Sequence, residues 1–437
     1  MKYKRILNKQ SFLWLVYFIV FLFVITNDAI YSPDTRSYIN ALPYRHLGYV
    51  IFLKTFYFFF NSLFDISVLI FQATFSLFAV HIFLKKTSKT LKLNRSSKVV
   101  LFIILLFPFF KPLSVANNIC PEGISYGLYL LFVAYGLDII FNENKKKWII
   151  LIGFYFALTF TRGQFILTPF IFAFVYFFKN KNQFPIRHVI LKSAILVCMP
   201  ILLILTESTY HKLKDGIFMT TPFGFVSASG LAFYVSKSED KNHIKNDNDR
   251  RIFEMCYNKL SQENLLLSSQ NDLQYYTQYY NYFHNNVPPI CNHTIHALGK
   301  DYYYQKETQY KESTNYAHAK SYYKIEKTCK NLTLTLIKAN FNKWLQLYFA
   351  NISHGFYSSY LAILMVLVFL FSLIKFLINT NNKWYILLFI LSALALANAM
   401  LVAFASHSII RYLFYNYALL FLIFIILIKL LKHGIKN

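Results

Sequence analysis

Asp34 lies in the stretch Ser32-Pro33-Asp34-Thr35-Arg36-Ser37-Tyr38, directly after the first hydrophobic run, with Arg36 and Arg45 close behind it. A carboxylate can take a proton from a hydroxyl, and a guanidinium can grip a phosphate through two parallel hydrogen bonds. His46, Lys111, Glu122, Arg162, His407 and Arg411 also stand at the borders of apolar runs. Ionisable groups beside membrane-spanning segments are costly to keep and tend to mark function. These residue types suit transfer of a sugar held on a lipid phosphate: a base deprotonates the acceptor hydroxyl while cations stabilise the departing phosphate. Asp34 is then the candidate base. Arg162, Arg411 and Lys111 are the candidate phosphate ligands, and Arg36, Tyr38, Arg45, His46, Glu122 and His407 are supporting residues. An inverting transfer forms no covalent intermediate, so the two-carboxylate arrangement of hydrolases is not required. The plainer alternative for each residue is solvation of a helix end, and for Glu122 a carboxylate complementing a helix dipole. Against it, arginines on an external face run counter to the usual charge bias and call for an anionic partner.

The elements that would position these residues are membrane helices. Hydrophobic residues make up 56% of the 437 positions and charged ones 15%, against about a quarter charged in a soluble domain. Lys2, Lys4, Arg5 and Lys9 precede the apolar run Phe12–Thr26 as in a signal peptide, but no small-residue cleavage site follows, so a retained first helix is expected. The formal charge of +26 is not a nucleic-acid footprint, because it is concentrated in loops. Lys85, Lys86, Lys89, Lys92, Arg95 and Lys98 fill one; Lys145–Lys147, Lys179, Lys181, Arg187 and Lys192 lie in others; Lys429, Lys432 and Lys436 lie at the end. That is the positive-inside pattern. The chain has 5 cysteines and none in CxxC spacing; three in one long loop leave open either one disulfide or unpaired thiols. There is no HExxH and no Gly-rich phosphate loop, and no cofactor is expected; a divalent cation stays open, although no ligand spacing indicates one.

Charge bias and span length thread the chain through about ten crossings with both termini inside. An even number of crossings must separate the basic N-terminus from the basic loop Lys85–Lys98, yet three apolar segments intervene: Phe12–Thr26, Leu47–Phe64 and Ile66–Leu84. The middle one, with Lys54 inside it, is expected to lie in the outer interface. Val99–Val115 then runs outward and Gly123–Phe141 returns. Trp148–Phe178 would be roughly 46 Å as one helix, so a hairpin with its apex at Thr161-Arg162-Gly163-Gln164 is expected. Val189–Thr206, Phe356–Ile374, Trp384–Phe404 and Tyr412–Ile428 complete the crossings. Three regions result: a transmembrane module 1–206 with a catalytic first loop 27–65, an external loop region 207–351, and C-terminal transmembrane helices 352–437. In the external loop, amphipathic helices are expected around Arg251–Leu267 and Tyr322–Phe349, and a non-helical stretch at Pro222, Gly224 and Gly230. Its many tyrosines suit interfacial anchoring or stacking on a sugar. The pattern Asn351-Ile352-Ser353 and two others read as glycosylation sequons, here attributed to chance in an Asn-rich chain.

In order along the chain, these residues resemble the GT-C glycosyltransferases, in particular the protein-mannosyltransferase and aminoarabinose-transferase branch. Asp34, the spaced Tyr38 and Arg45-His46-Leu47-Gly48-Tyr49 are similar to that branch's first-loop acid, tyrosine and R-x-PGYP-like element. Pro121-Glu122 resembles the glutamate opening a later span, Leu158-Thr159-Phe160-Thr161-Arg162 the "LTRP" element, and Arg411-Tyr412 the Arg-Tyr pair opening the last helix. The resemblance implies an all-α, multi-pass GT-C-like bundle with an interfacial helix in the first external loop. It implies an enzyme drawing on a polyprenyl-phosphate sugar, with membrane lipid around it and a glycan, glycolipid or protein as acceptor. Two other readings compete: an envelope-glycan polymerase or ligase, which needs no first-loop carboxylate, and a lipid-linked-sugar transporter or flippase, which should show paired broken helices in two similar halves. The Lys, Asn, Ile, Phe and Tyr bias points to a bacterial inner membrane, with the endoplasmic reticulum as the alternative.

Overall fold

The computed structural model describes residues 2–142, 145–309 and 314–434. Lys436 and the side chains of Lys2, Lys4, Arg5, Lys9 and Lys145 lie outside what is described. Among the described residues the chain is helical and has no strand. It divides into two compact units, one of residues 1–203, 368–395 and 414–437, the other of 204–367 and 396–413.

The first unit contains α1 (Lys2–Ile25), α2 (Thr35–Ile39), α3 (Leu47–Phe60), α4 (Phe64–Thr90), α5 (Arg95–Leu106), α6 (Glu122–Phe141), α7 (Lys145–Thr161), α8 (Thr168–Asn180) and the start of α9 (Ile186–Asp215). α3 is too short at roughly 21 Å to cross a bilayer core. It stops because Asn61 takes φ 36°, and α4 restarts with Asp65 in its first turn, a carboxylate suited to a helix N-terminus. α5 ends at Leu106, well short of the expected Val99–Val115, because Pro108 and Pro112 cannot continue a helix. The expected hairpin break is present: α7 ends at Thr161 and Arg162 is extended, at φ −154° and ψ 107°. α8 then starts with Pro169 in its first turn, where a missing N–H costs nothing.

The second unit holds α10 (Gly224–Tyr234), α11 (Asp247–Gln262), α12 (Tyr276–Asn285), α13 (Ala297–Gln309), α14 (Thr314–Ala339), α15 (Phe341–Gly355), the start of α16 (Ser359–Ile378), the end of α17 (Lys383–Ala405) and α18 (Ile410–Leu413); α19 (Asn416–Gly434) belongs to the first. The expected non-helical stretch at Gly224 and Gly230 is instead α10. Its first amides are capped from α14: the Glu326 carboxylate accepts from the N–H of Phe225 at 2.8 Å and of Val226 at 2.9 Å. Burial pushes the Glu326 carboxyl up, and these backbone donors pull it back. Several tyrosines expected at an interface are core residues, among them Tyr234, Tyr280 and Tyr323. All five cysteines are thiols.

Among the described residues five helical segments are long and apolar enough to cross a membrane: Leu47–Thr90 (which contains α3 and α4), α6, α9, α16 and α17. α6 and α17 are 83% buried, whereas α16, the most apolar of the five, is only 28% buried. A water-soluble protein would hide its most apolar helix, so this distribution is compatible with a helical membrane protein.

Candidate functional site

The first unit brings two arginine–carboxylate pairs into one neighbourhood. The loop after α1 is laced to the loop before α6: Ile30 N donates to Asn117 O at 2.8 Å, Ile119 N to Ile30 O at 3.0 Å, and Thr35 Oγ1 to Ile119 O at 2.9 Å. Asp34 sits at the start of α2. Its backbone oxygen accepts from Ser37 Oγ at 2.6 Å, and its carboxylate is paired with Arg45 at 2.6 Å. Arg45 Nε donates to Ser37 Oγ at 2.7 Å, and its guanidinium lies 4.7 Å from the ring centre of Tyr38 and 4.6 Å from that of Tyr44. The planar cation is therefore held by a carboxylate, a hydroxyl and two π faces. The Asp34 side chain remains 32% exposed, so an arriving molecule can reach it.

The second pair is deeper. Glu122, in the first turn of α6, meets Arg162 at 2.5 Å, and the two side chains are 4% and 12% exposed. Arg162 Nε also donates to Gln164 Oε1 at 2.6 Å. Its guanidinium lies 5.9 Å from the ring centre of Tyr415, whose hydroxyl bonds Ser125 Oγ at 2.7 Å. The extended break between α7 and α8 is what turns Arg162 inward.

Tyr38 feels the charges of both pairs. Burial pushes its hydroxyl above the ordinary tyrosine value; Arg45 and Arg162 pull it down, while Glu122 and Asp34 push it up. It therefore stays protonated and acts as a polar O–H rather than as a phenolate. Behind it, Tyr49 packs edge-on at 5.3 Å and donates to Gln72 Oε1 at 3.0 Å. Gln72 Nε2 in turn donates to Ala116 O at 3.0 Å and Asn118 O at 3.2 Å. Gln72, Gln164 and Tyr415 are not singled out by residue type and spacing alone. For Gln72 the available signal is an amide in the middle of a long, mostly apolar run.

α3 closes against the break directly. A Cβ on Gly48 would lie 2.8 Å from Phe160 C, 2.9 Å from Phe160 O and 3.0 Å from Thr161 N, whereas one on Gly153 would meet nothing within 4 Å. His46, just before α3, would be 3.1 Å from a Cβ on Gly163. Gly48→Ala is therefore expected to destabilise the protein by roughly 1–3 kcal/mol through backbone overpacking. Gly153→Ala should be neutral or slightly stabilising. Thermal unfolding of the two variants in the same detergent checks this, and equal midpoints would contradict the close approach.

Arg36 and Lys111 are exposed. His407 and Arg411 belong to the second unit. There the His407 ring packs edge-on to His284 at 5.0 Å, and His284 lies 4.6 Å from His354. Burial, with these two neighbours, pushes the His407 imidazole down to about 4, so it is neutral at physiological pH. Asn351, of the sequon-like triplet, is fully buried. Its Oδ1 accepts from Ser408 N at 2.8 Å and Tyr280 OH at 2.7 Å, and its Nδ2 donates to Ala403 O at 2.8 Å and Ser406 O at 2.9 Å. It clamps the turn that carries His407 and is not an accessible glycosylation site. Among the described residues no group of three or more His, Cys, Asp or Glu is placed to hold a metal ion.

No protein-family model, curated protein or solved structure matches the chain. What the first unit offers chemically is a reachable carboxylate beside a fixed arginine, and a buried arginine whose carboxylate partner a phosphate could replace.

Proposed function

We propose that the chain is a membrane glycosyltransferase of GT-C type, with about ten crossings, cytoplasmic termini and its 207–351 region external, in a bacterial inner membrane. It takes a sugar from a polyprenyl-phosphate donor and passes it, with inversion, to a hydroxyl of a glycan, glycolipid or protein. The observation that carries this reading is the pairing of Asp34 with Arg45 and of Glu122 with Arg162, close enough together that all four charges act on the Tyr38 hydroxyl. Asp34 accepts the proton of the acceptor hydroxyl as its oxygen attacks the anomeric carbon. The bond from that carbon to the phosphate oxygen breaks on the opposite face, and the electron pair leaves with the polyprenyl phosphate. Arg162 answers the charge on the phosphate, exchanging part of its contact with Glu122 for the donor. Arg411 is a phosphate ligand by its place in the sequence alone, and Arg36 and Lys111 add positive charge.

Lysine in place of Arg162 keeps the charge and loses the two-pronged grip. A charge-assisted hydrogen bond contributes about 1.5–3 kcal/mol, so Arg162→Lys should weaken binding of a polyprenyl-phosphate sugar to the purified protein by roughly tenfold or more. Unchanged affinity in a folded Arg162→Lys variant would remove the phosphate assignment.

A further inference from the structure

We propose that α15 lies along the headgroup–acyl boundary of the bilayer, with one face on the end of α17, a second in lipid and a third in water. The inference needs only that α16 and α17 cross a membrane, and it stands apart from sugar transfer.

The residues of α15 sort into three arcs. Trp344, Leu347 and Asn351 are buried and make the protein face. Phe341 and Phe349, two turns apart, lie on an adjoining apolar arc and are 52% and 57% exposed; Leu345 between them is partly buried against the core of the second unit. Asn342, Gln346 and Ser353 form a polar arc beyond that apolar one. A soluble helix on a protein surface needs two faces; a helix at the rim of a membrane bundle needs these three.

The protein face fixes the depth. Tyr348 OH donates to Met400 O at 3.1 Å, Asn351 Nδ2 to Ala403 O at 2.8 Å, and the Trp344 ring packs edge-on to Phe404 at 6.2 Å. α17 ends at Ala405, so Met400 lies roughly 7–8 Å inside the end of that span. The apolar arc of α15 is thus held at the level of the last turns of a membrane helix. Continuity makes lipid the occupant. α15 ends at Gly355 and α16 starts at Ser359, and α16 continues the exposed apolar surface through Tyr360 (87%), Ile363 (58%) and Leu367 (57%). Because Asn351 also clamps the 403–408 turn, α15 would set the height of that turn above the membrane.

The test is site-directed spin labelling of the full chain in lipid nanodiscs, in a Cys198→Ser background, since the other four cysteines are buried. Labels at Phe341→Cys, Phe349→Cys, Asn342→Cys and Gln346→Cys are compared for collision with oxygen, which partitions into lipid, and with a water-soluble nickel chelate. Oxygen should relax positions 341 and 349 several-fold more than nickel does, with the order reversed at 342 and 346. All four substituted residues are exposed, so packing is not disturbed, and elution as wild type verifies it. Strong nickel accessibility at 341 and 349 would place the apolar arc in water and overturn the proposal. So would protection from both agents with spin–spin broadening, which would mean a second copy of the chain covers it.

Discussion

Asp34→Asn is expected to abolish transfer while leaving the protein folded. Asparagine keeps the size and most of the hydrogen bonding of the carboxylate, including an oxygen for Arg45, but it cannot accept a proton. Loss of a general base typically costs on the order of 10²–10⁴ in rate. The Asp34 side chain is 32% exposed against 15% for Arg45, so the substitution uncovers no deeply buried charge and should change stability little. Turnover of a polyprenyl-phosphate sugar by purified variant and wild type reads the effect. The decisive pattern is turnover lost with donor affinity retained. Near wild-type turnover in Asp34→Asn would reject the base role and bring the polymerase or transporter readings forward.

Glu122→Gln is expected to act in the opposite way, mainly on stability. By sequence Glu122 is a helix-start acid that could merely complement a dipole, an effect of about 0.3–1 kcal/mol. Its carboxylate instead meets Arg162 at 2.5 Å with side-chain exposures of 4% and 12%. Removing one partner of such a pair leaves a poorly compensated charge in a low-dielectric site, at a cost of about 3–5 kcal/mol. Replacing both, as in Glu122→Gln with Arg162→Met, should cost clearly less than the sum of the single changes, because no orphaned charge remains. Equilibrium unfolding in detergent measures all three variants. A Glu122→Gln change below about 1 kcal/mol would mean that the pair is solvated and that Arg162 is already free to hold a ligand.

How far the molecule can be read from its sequence differs element by element. The α7–α8 break at Arg162 is legible, because a basic residue at both ends of an overlong apolar run leaves a hairpin as the simplest solution. The partners are not. An external arginine calls for an anion, but nothing in a linear sequence says that Arg162 finds Glu122 while Arg45 finds Asp34. Those matches depend on the lacing of the 27–46 loop to the 107–121 loop through Ile30, Asn117 and Ile119. The early stop of α5 is visible in Pro108 but is outweighed by the length of the apolar run. α10 is hidden because Gly and Pro argue for a loop by local propensity, whereas Glu326, about a hundred residues away, supplies the missing cap. Composition assigns the tyrosines of the 207–351 region to an interface; burial of Tyr234 and Tyr280 depends on tertiary packing that composition does not carry.

A chain that consumes a lipid-linked sugar must change the lipids of the cell envelope whatever its acceptor is, and mass spectrometry of those lipids reads the change. Envelope extracts from cells with the gene, without it, and carrying only Asp34→Asn are compared for glycosylated species and for polyprenyl-phosphate sugars. One sugar-bearing envelope species should disappear without the gene, its polyprenyl-phosphate donor should accumulate, and Asp34→Asn should reproduce both changes. Identical envelope species and donor levels in all three, with the protein present in the membrane, would contradict consumption of a lipid-linked sugar.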